Sequence, residues 1–573
     1  MNRRSFIEQF SVGSGAALAA PLLPLSTSAQ ANQERSFLRT GQAERKADLV
    51  IAGGGLGGCA AALAALRNKL TVILTEETDW IGGQLTQQGV PPDEHDWIET
   101  HGGTKLYRDF RKAVRAYYIQ NYPLTDSAKS RQFLNPGDGV VSKLCHEPRV
   151  ALAVLQQMLA PYISTGQLTL LIEHKVTAAD VTGDKVRALK AVSQRSGKEI
   201  ILSAPYFVDA TELGDLLPLT GTEYVTGAES KKETRELHAP EKADPNNCQA
   251  FTMCFAMDYV AGANHVIDKP KEYEFWRNYT PNVTPAWSGK LLDLAYSNPK
   301  TLEPKKLGFH PEGLKTGDSL NLWNYRRIIS KANFKPGTYL GDISNVNWPQ
   351  NDYTLGNLIG ASETNFKKHV DRAKQLSLSL LYWLQTEAPR PDGGQGWSGL
   401  RLRNDIMGTE DGLAKYPYIR ESRRIKAVFT VLEEHVGADN RALITGKKDN
   451  TAADFHDSVG VGYYHIDLHP STSGNNYIDF GSLPFQIPLG ALLPKRVDNL
   501  LPANKNIGTT HITNGCYRLH PVEWSIGEAV GMLVAYSLDK KVIPRAVREK
   551  EPLLHDFQTM IRSQGIETSW PKP

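Results

Sequence analysis

Asp48-Leu49-Val50-Ile51-Ala52-Gly53-Gly54-Gly55-Leu56-Gly57-Gly58 is the stretch on which the reading of this chain turns. Asp48 to Ala52 is a short apolar run stopped by glycine, as expected of a parallel strand buried on both faces. The glycines then satisfy G-x-G-x-x-G at Gly53, Gly55 and Gly58, and Cys59 to Leu66 is almost all Ala and Leu, a strong helix former with a small-residue face. A second apolar run, Leu70 to Leu74, ends at Thr75-Glu76. In such a turn Gly53 permits the tight bend, Gly55 lets backbone approach a pyrophosphate, and Gly58 lets helix and strand pack closely. The helix start at Leu56 and Gly57 offers free N–H groups and a positive dipole end to that pyrophosphate. Glu76 lies 18 positions after Gly58, at the end of the second strand, where a carboxylate accepts ribose hydroxyls. Strand, glycines, helix, strand and acid in this order predict a dinucleotide-binding βαβ unit.

Ile81-Gly82-Gly83-Gln84 begins five residues after Glu76. With the glycine turn, this arrangement resembles the extended FAD fingerprint of the glutathione-reductase-like flavoproteins. The chain is more closely similar to the FAD-dependent oxidoreductase family whose members often carry "xanthan lyase"-like labels. Cys145-His146-Glu147-Pro148 and the amphipathic segment to residue 160 match the family helix that precedes a β-meander. The meander itself reads as strands near 168–176, 186–193 and 199–203, with a turn at Thr182-Gly183-Asp184. Phe207-Val208-Asp209-Ala210-Thr211-Glu212 resembles the family's "D-A-T-G" strand, with Glu212 standing in place of its glycine. Val497 to Ala503 reads as a returning strand, followed by Asn504-Lys505 where the family has "G-R". Arg518-Leu519-His520-Pro521-Val522 then opens a last helix, and Pro521 suits a first helical turn. The resemblance implies that this helix points its N-terminus at the flavin ring. It also implies FAD contacts at Gly83, Gln84, Ala210, Thr211, Gly508, Pro521 and Val522, beside those of Gly53 to Gly58 and Glu76.

The fold class expected is α/β: a Rossmann-type FAD-binding domain with a parallel sheet and β-meander, and an inserted α+β substrate domain. The 573 residues divide accordingly. Residues 47–225 form the first part of the FAD domain, 226–480 a substrate or cap domain, 481–545 the returning part, and 546–573 a tail. Residues 1–31 read as a leader. Asn2-Arg3-Arg4-Ser5-Phe6-Ile7 is a twin-arginine pattern, a mildly apolar stretch interrupted by Pro21 and Pro24 follows, and Ala29-Gln30-Ala31 is an A-x-A cleavage site. A periplasmic or secreted mature protein with no stable membrane span is expected.

A net charge of +3 with scattered basic residues gives no nucleic-acid footprint. The five cysteines show neither a C-x-x-C pair nor zinc spacing. Each is expected to be a small buried residue, with Cys248 and Cys254 the nearest pair for a disulfide.

Between the two parts of the FAD domain, polar and aromatic residues cluster at 247–253, 321–327, 342–353 and 418–424. These clusters suit a sugar or polyol platform, since aromatic faces stack on sugars and amides bind hydroxyl pairs. They suit equally well loops that cover a flavin. Arg420, Arg423 and Arg424 fit either an anionic ligand or structural ion pairs. Residues 362–387 read as a long core helix, apolar at Leu376, Leu378, Leu380, Leu381 and Leu384. His465-Ile466-Asp467-Leu468-His469 alternates as a strand would, placing His465, Asp467 and His469 on one face. With His511 and His520, these are the candidates for the base, His465, His511 and His520 foremost, because histidine titrates near neutrality. No metal site is expected.

The expected reaction is hydride transfer from a small molecule, with an alcohol, polyol or sugar foremost, to flavin N5. No second glycine fingerprint follows a strand, so electrons are expected to leave to dioxygen, a quinone or a redox protein. The alternatives are a flavin monooxygenase or halogenase, and a polysaccharide-binding or lyase protein with a structural FAD.

Overall fold

The computed structural model describes residues 43–447 and 451–571. The predicted leader lies outside them. At the centre is a five-stranded parallel sheet built from β1 (Leu49–Ala52), β2 (Val72–Glu76), β3 (Leu168–Ile172), β4 (Tyr206–Asp209) and β5 (Leu500–Pro502), in the order β5-β4-β1-β2-β3. Ala52 pairs with Thr75 on one side and Asp209 on the other, and Pro502 pairs with Asp209. The carboxyl ends of four strands are thereby brought to one edge, where ligands bind in open parallel sheets.

The helix α1 (Leu56–Arg67) leaves this edge, and all its residues but Arg67 are buried. A helix apolar all round must be covered all round. One cover is α2 (His520–Lys540), itself buried from His520 to Ser537, with Pro521 in its first turn as expected. The two cross with backbones almost touching. A Cβ on Gly527 would overlap the Gly57 carbonyl, and one on Gly531 would overlap that of Ala61.

The meander is present, but the predicted strand 168–176 divides. Glu173 takes a left-handed backbone conformation (φ 55°). Before it, Leu168–Ile172 extends the parallel sheet beside β2. After it, His174–Thr182 starts a separate sheet, antiparallel through Lys185–Ser193 and Glu199–Ser203 and closed by Glu44–Lys46 in parallel. A continuous run of strand-forming residues conceals such a change of sheet. The turn at Thr182-Gly183-Asp184 is where it was predicted.

A second hydrophobic core, distinct from that around α1, joins Trp276, Trp323, Trp348 and Tyr353 to the helix Glu363–Thr386. That helix buries Leu376, Leu380, Leu381 and Leu384, while Leu378 is only partly buried. Beside it stands an antiparallel sheet of Arg327–Ile329, Ile343–Val346, Phe255–Tyr259 and Leu400–Leu402. All five cysteines are buried thiols, so the Cys248–Cys254 disulfide is not formed. Among the described residues no helix is long and apolar enough to cross a membrane.

Candidate active site

One cleft opens at the carboxyl edge of the sheet, and a second cavity is lined by the middle of the chain and by Arg518. The first is a cleft of about 460 Å³ lined by Gly53, Gly55, Glu76, Val176, Ala210, Thr211, Glu212 and Tyr416, among others. Five residues singled out for a dinucleotide therefore share one cleft. Gly53 makes the turn with φ 92°, and a Cβ there would overlap the Ala210 carbonyl. Glu76 is buried and accepts from Gly54 N–H at 2.9 Å and from Thr78 N–H and Oγ1–H at 2.8 and 2.9 Å. Burial, helped by the charge of Glu77, pushes its carboxyl up to about 8 despite those donors. Thr211 is fixed by Asp209, which accepts both its N–H (3.0 Å) and its hydroxyl (2.7 Å). Burial raises Asp209 to about 7.

The other predicted glycines divide by role. Gly58 packs helix against strand as expected, since a Cβ would strike Gly53 O and Ala210. Gly57 is a packing residue rather than a pyrophosphate donor. Its N–H donates to Asn504 Oδ1 at 3.0 Å, and a Cβ would overlap the Ala503 carbonyl. Gly508 lies against Ala427, Phe429 and Ala491, not in the cleft. Gly83 (φ 55°) abuts Leu56 N and Glu212 Oε1. Gln84 donates through Nε2 to Arg518 O (2.8 Å) and Glu523 Oε2 (2.7 Å), which ties the fingerprint loop to the start of α2 near Pro521 and Val522. Lys505, fully buried, pairs with Glu212 at 2.6 Å and Glu523 at 3.0 Å. These two carboxylates outweigh the effect of burial and hold Lys505 well above the ordinary lysine range.

Several buried polar atoms here have no partner within the protein: Gln84 Oε1, Gln88 Nε2, Glu212 Oε1, Ser422 Oγ, Thr509 Oγ1 and His520 Nε2. Leaving such atoms unsatisfied costs about 1–3 kcal/mol each. Those of Gln84 and Gln88 directly follow the Gly83 turn, where a polar ligand would satisfy them.

The second opening is a cavity of about 820 Å³. Three clusters noted in the sequence converge on it, through Arg326, through Asn347 and Trp348, and through Tyr418 and Arg420; Arg518, Tyr464 and Tyr477 also line it. His465, Asp467 and His469 line it too, so the face predicted from their alternation is real. The arginines are closed on aspartates: Arg326 on Asp93 (3.1 Å), Arg420 on Asp352 (3.0 Å) and Arg518 on Asp467 (3.1 Å). Arg423 pairs with Asp215, and Arg424 with Glu421 and Glu229. Residues 420–424 thus form the ion pairs that the structural reading expects.

The candidate histidines do not share a place. Of the three foremost, only His465 lines the cavity. Its Nδ1–H donates to Asp479 Oδ1 at 2.6 Å, which makes Nε2 the accepting atom of the neutral ring. Burial lowers its pKa, but the hydrogen bond to Asp479 and the charges of Asp467 and Asp479 outweigh this and raise it above the ordinary value. His511 is buried against Glu421, its Nδ1 at 2.8 Å from Oε1. Burial raises Glu421, but His511 and Arg424 overcome this and draw it down to about 2. His520, at the start of α2, accepts from Asp93 N–H at 3.0 Å, and burial lowers it to about 4. His469, the other candidate on the strand, also lines the cavity but is held between two carboxylates, Asp352 (2.6 Å) and Asp467 (3.5 Å). Both of its ring nitrogens thus face carboxylates, which leaves neither open toward a substrate. Tyr464, Tyr477 and Asp93 carried no sequence signal; only the fold brings them here.

A family model described as FAD dependent oxidoreductase matches residues 48–561. No curated protein matches the chain. Among solved structures it is similar to the OxyS anhydrotetracycline hydroxylase from Streptomyces rimosus, at 10% identity over 91% of this chain and 66% of that one, TM-score 0.34. It is also similar to Mycobacterium smegmatis Sdh1 in complex with UQ1, at 11% identity over 91% and 78%, TM-score 0.30. A third is L-proline dehydrogenase from P. horikoshii, at 16% identity and TM-score 0.18, where the match covers 32% of this chain and spans only 24% of that one.

Proposed function

The chain belongs to the FAD-dependent oxidoreductase family, and from that premise we propose that it oxidises a neutral, polyhydroxylated small molecule, a sugar, polyol or other alcohol, in the 820 Å³ cavity. FAD is the cofactor, and the residues of the first cleft suit it: Glu76 would hold the ribose, Gly53, Gly55 and the start of α1 would hold the diphosphate, and the start of α2 would lie toward the ring. Bound FAD supplies two-electron acceptance.

One observation carries the reading. The cavity holds a single histidine poised as a base, His465 on Asp479, among arginines already neutralised by aspartates. His465 Nε2 would take the hydroxyl proton, and bound FAD would supply the acceptor for the hydride of the adjacent C–H. Asp479 fixes the tautomer and steadies the imidazolium. Tyr464, Tyr477 and Trp348 offer aromatic faces, while Asn347 and the aspartates offer partners for hydroxyls. An anionic substrate would have to compete with aspartates for each arginine.

The test is anaerobic mixing of the holoenzyme with sugars, polyols, alcohols and amines. Loss of the flavin's visible absorbance with a hydroxylated compound is expected. An unsaturated sugar product without bleaching would overturn the reading in favour of a lyase. Since His465 acts as a neutral base, kcat/KM should fall as pH drops through its raised pKa. Asp479→Asn removes the hydrogen bond that raises it, so the acid limb should move to lower pH while the rate on the plateau falls. An unmoved limb would remove His465 from this role.

Residues 2–7 and 29–31 support export of the folded, flavin-loaded protein, with dioxygen, a quinone or a redox protein as acceptor. Replacing both Arg3 and Arg4 by lysine should keep the protein in the cytoplasm, as fractionation and immunoblotting would show.

A further inference from the structure

Glu212 ends the Asp209-Ala210-Thr211 turn, and its placement has a chemical consequence. The residue is 7% exposed. Oε2 is committed to Lys505 at 2.6 Å, while Oε1 has no hydrogen-bond partner. Oε1 lies 3.0 Å from where a Cβ of Gly55 would be and 2.9 Å from that of Gly83. An uncommitted carboxylate oxygen thus occupies the notch between the two glycine turns, at the positive end of α1. A diphosphate is drawn to the same N–H groups and the same dipole. Two anionic groups a few ångströms apart repel in a partly desolvated setting, and a cation beside one of them cancels much of that repulsion.

We propose that Glu212 and Lys505 act as an opposed pair beside the diphosphate seat: the carboxylate weakens the hold of the glycine turn on a diphosphate, and the ammonium restores it. Neither residue need touch the adenosine or the flavin ring. Lys505 is anchored for this by Glu523, which is in turn bound by Gln84. The setting of the pair therefore couples the fingerprint loop to the start of α2.

The experiment uses the FAD-loaded full chain, with ADP and adenosine as competitors and released flavin fluorescence as the readout. The ratio of the two displacement constants cancels any change in FAD affinity itself. In Glu212→Gln, which is isosteric and leaves the Lys505–Glu523 pair in place, the ratio should shift about tenfold in favour of ADP, equivalent to about 1.4 kcal/mol. In Lys505→Gln it should shift against ADP. A residue that only supports the fold would move ADP and adenosine together. An unchanged ratio in Glu212→Gln, or a shift in the same direction in both variants, would overturn the proposal.

Discussion

Gly53→Val protein is expected to purify without flavin. Gly53 holds φ 92°, and a Cβ would run into the backbone of Ala210 and Thr211 rather than into a side chain that could turn away. Holding a non-glycine residue in a sparsely populated conformation costs about 1–3 kcal/mol before any overlap is relieved. Relief here means pushing β1 away from β4 at the edge where the cofactor binds. The ratio of visible to ultraviolet absorbance and the melting temperature should both drop. Gly183→Asn is the control. Gly183 also has positive φ (57°) but nothing within 4 Å of a Cβ, and asparagine tolerates that region, so flavin content should be unchanged. Full flavin retention in Gly53→Val would contradict the placement of the dinucleotide.

His465→Gln is expected to keep its flavin and lose activity. Positioned general acids and bases contribute roughly 10²- to 10⁴-fold, and kcat/KM should fall within that range. His511→Gln and His520→Gln should behave differently, because neither side chain lines the cavity. The loss at His511 strips a partner from buried Glu421 and should appear first as a lowered melting temperature. If His511→Gln or His520→Gln abolished turnover with stability intact, the base would have been assigned to the wrong residue.

The parts of this molecule legible in the sequence are those fixed by local backbone demands. A left-handed glycine, a helix of Ala and Leu, an acid at a strand end and a proline in a first turn each act over a few residues, and the cleft of Gly53, Gly55, Glu76, Ala210 and Thr211 follows from them. The alternation from His465 to His469 was likewise readable as one face. What stayed hidden depends on distant partners. Asn504 satisfies Gly57 across 447 positions, and Arg326 meets Asp93 across 233. Nothing local marks such a pairing, so Gly57 reads as a donor to phosphate until Asn504 is seen. Nor could sequence rank the histidines, since that rank depends on which ring nitrogens face carboxylates and which face open space.

The contact of Gly527 and Gly531 with the backbone of α1 bears on the order of events during synthesis. A nascent chain that has emerged only as far as residue 499 carries the glycine fingerprint, yet it has neither β5 nor Lys505 nor the helix that sheathes α1. Its Ala- and Leu-rich surface stays wet and its nucleotide seat is half built. Flavin capture must therefore wait until the helix His520–Lys540 has emerged, and ribosome-stalled chains exposed no further than residue 499 should be uncoloured, with domains completing only once distant segments meet.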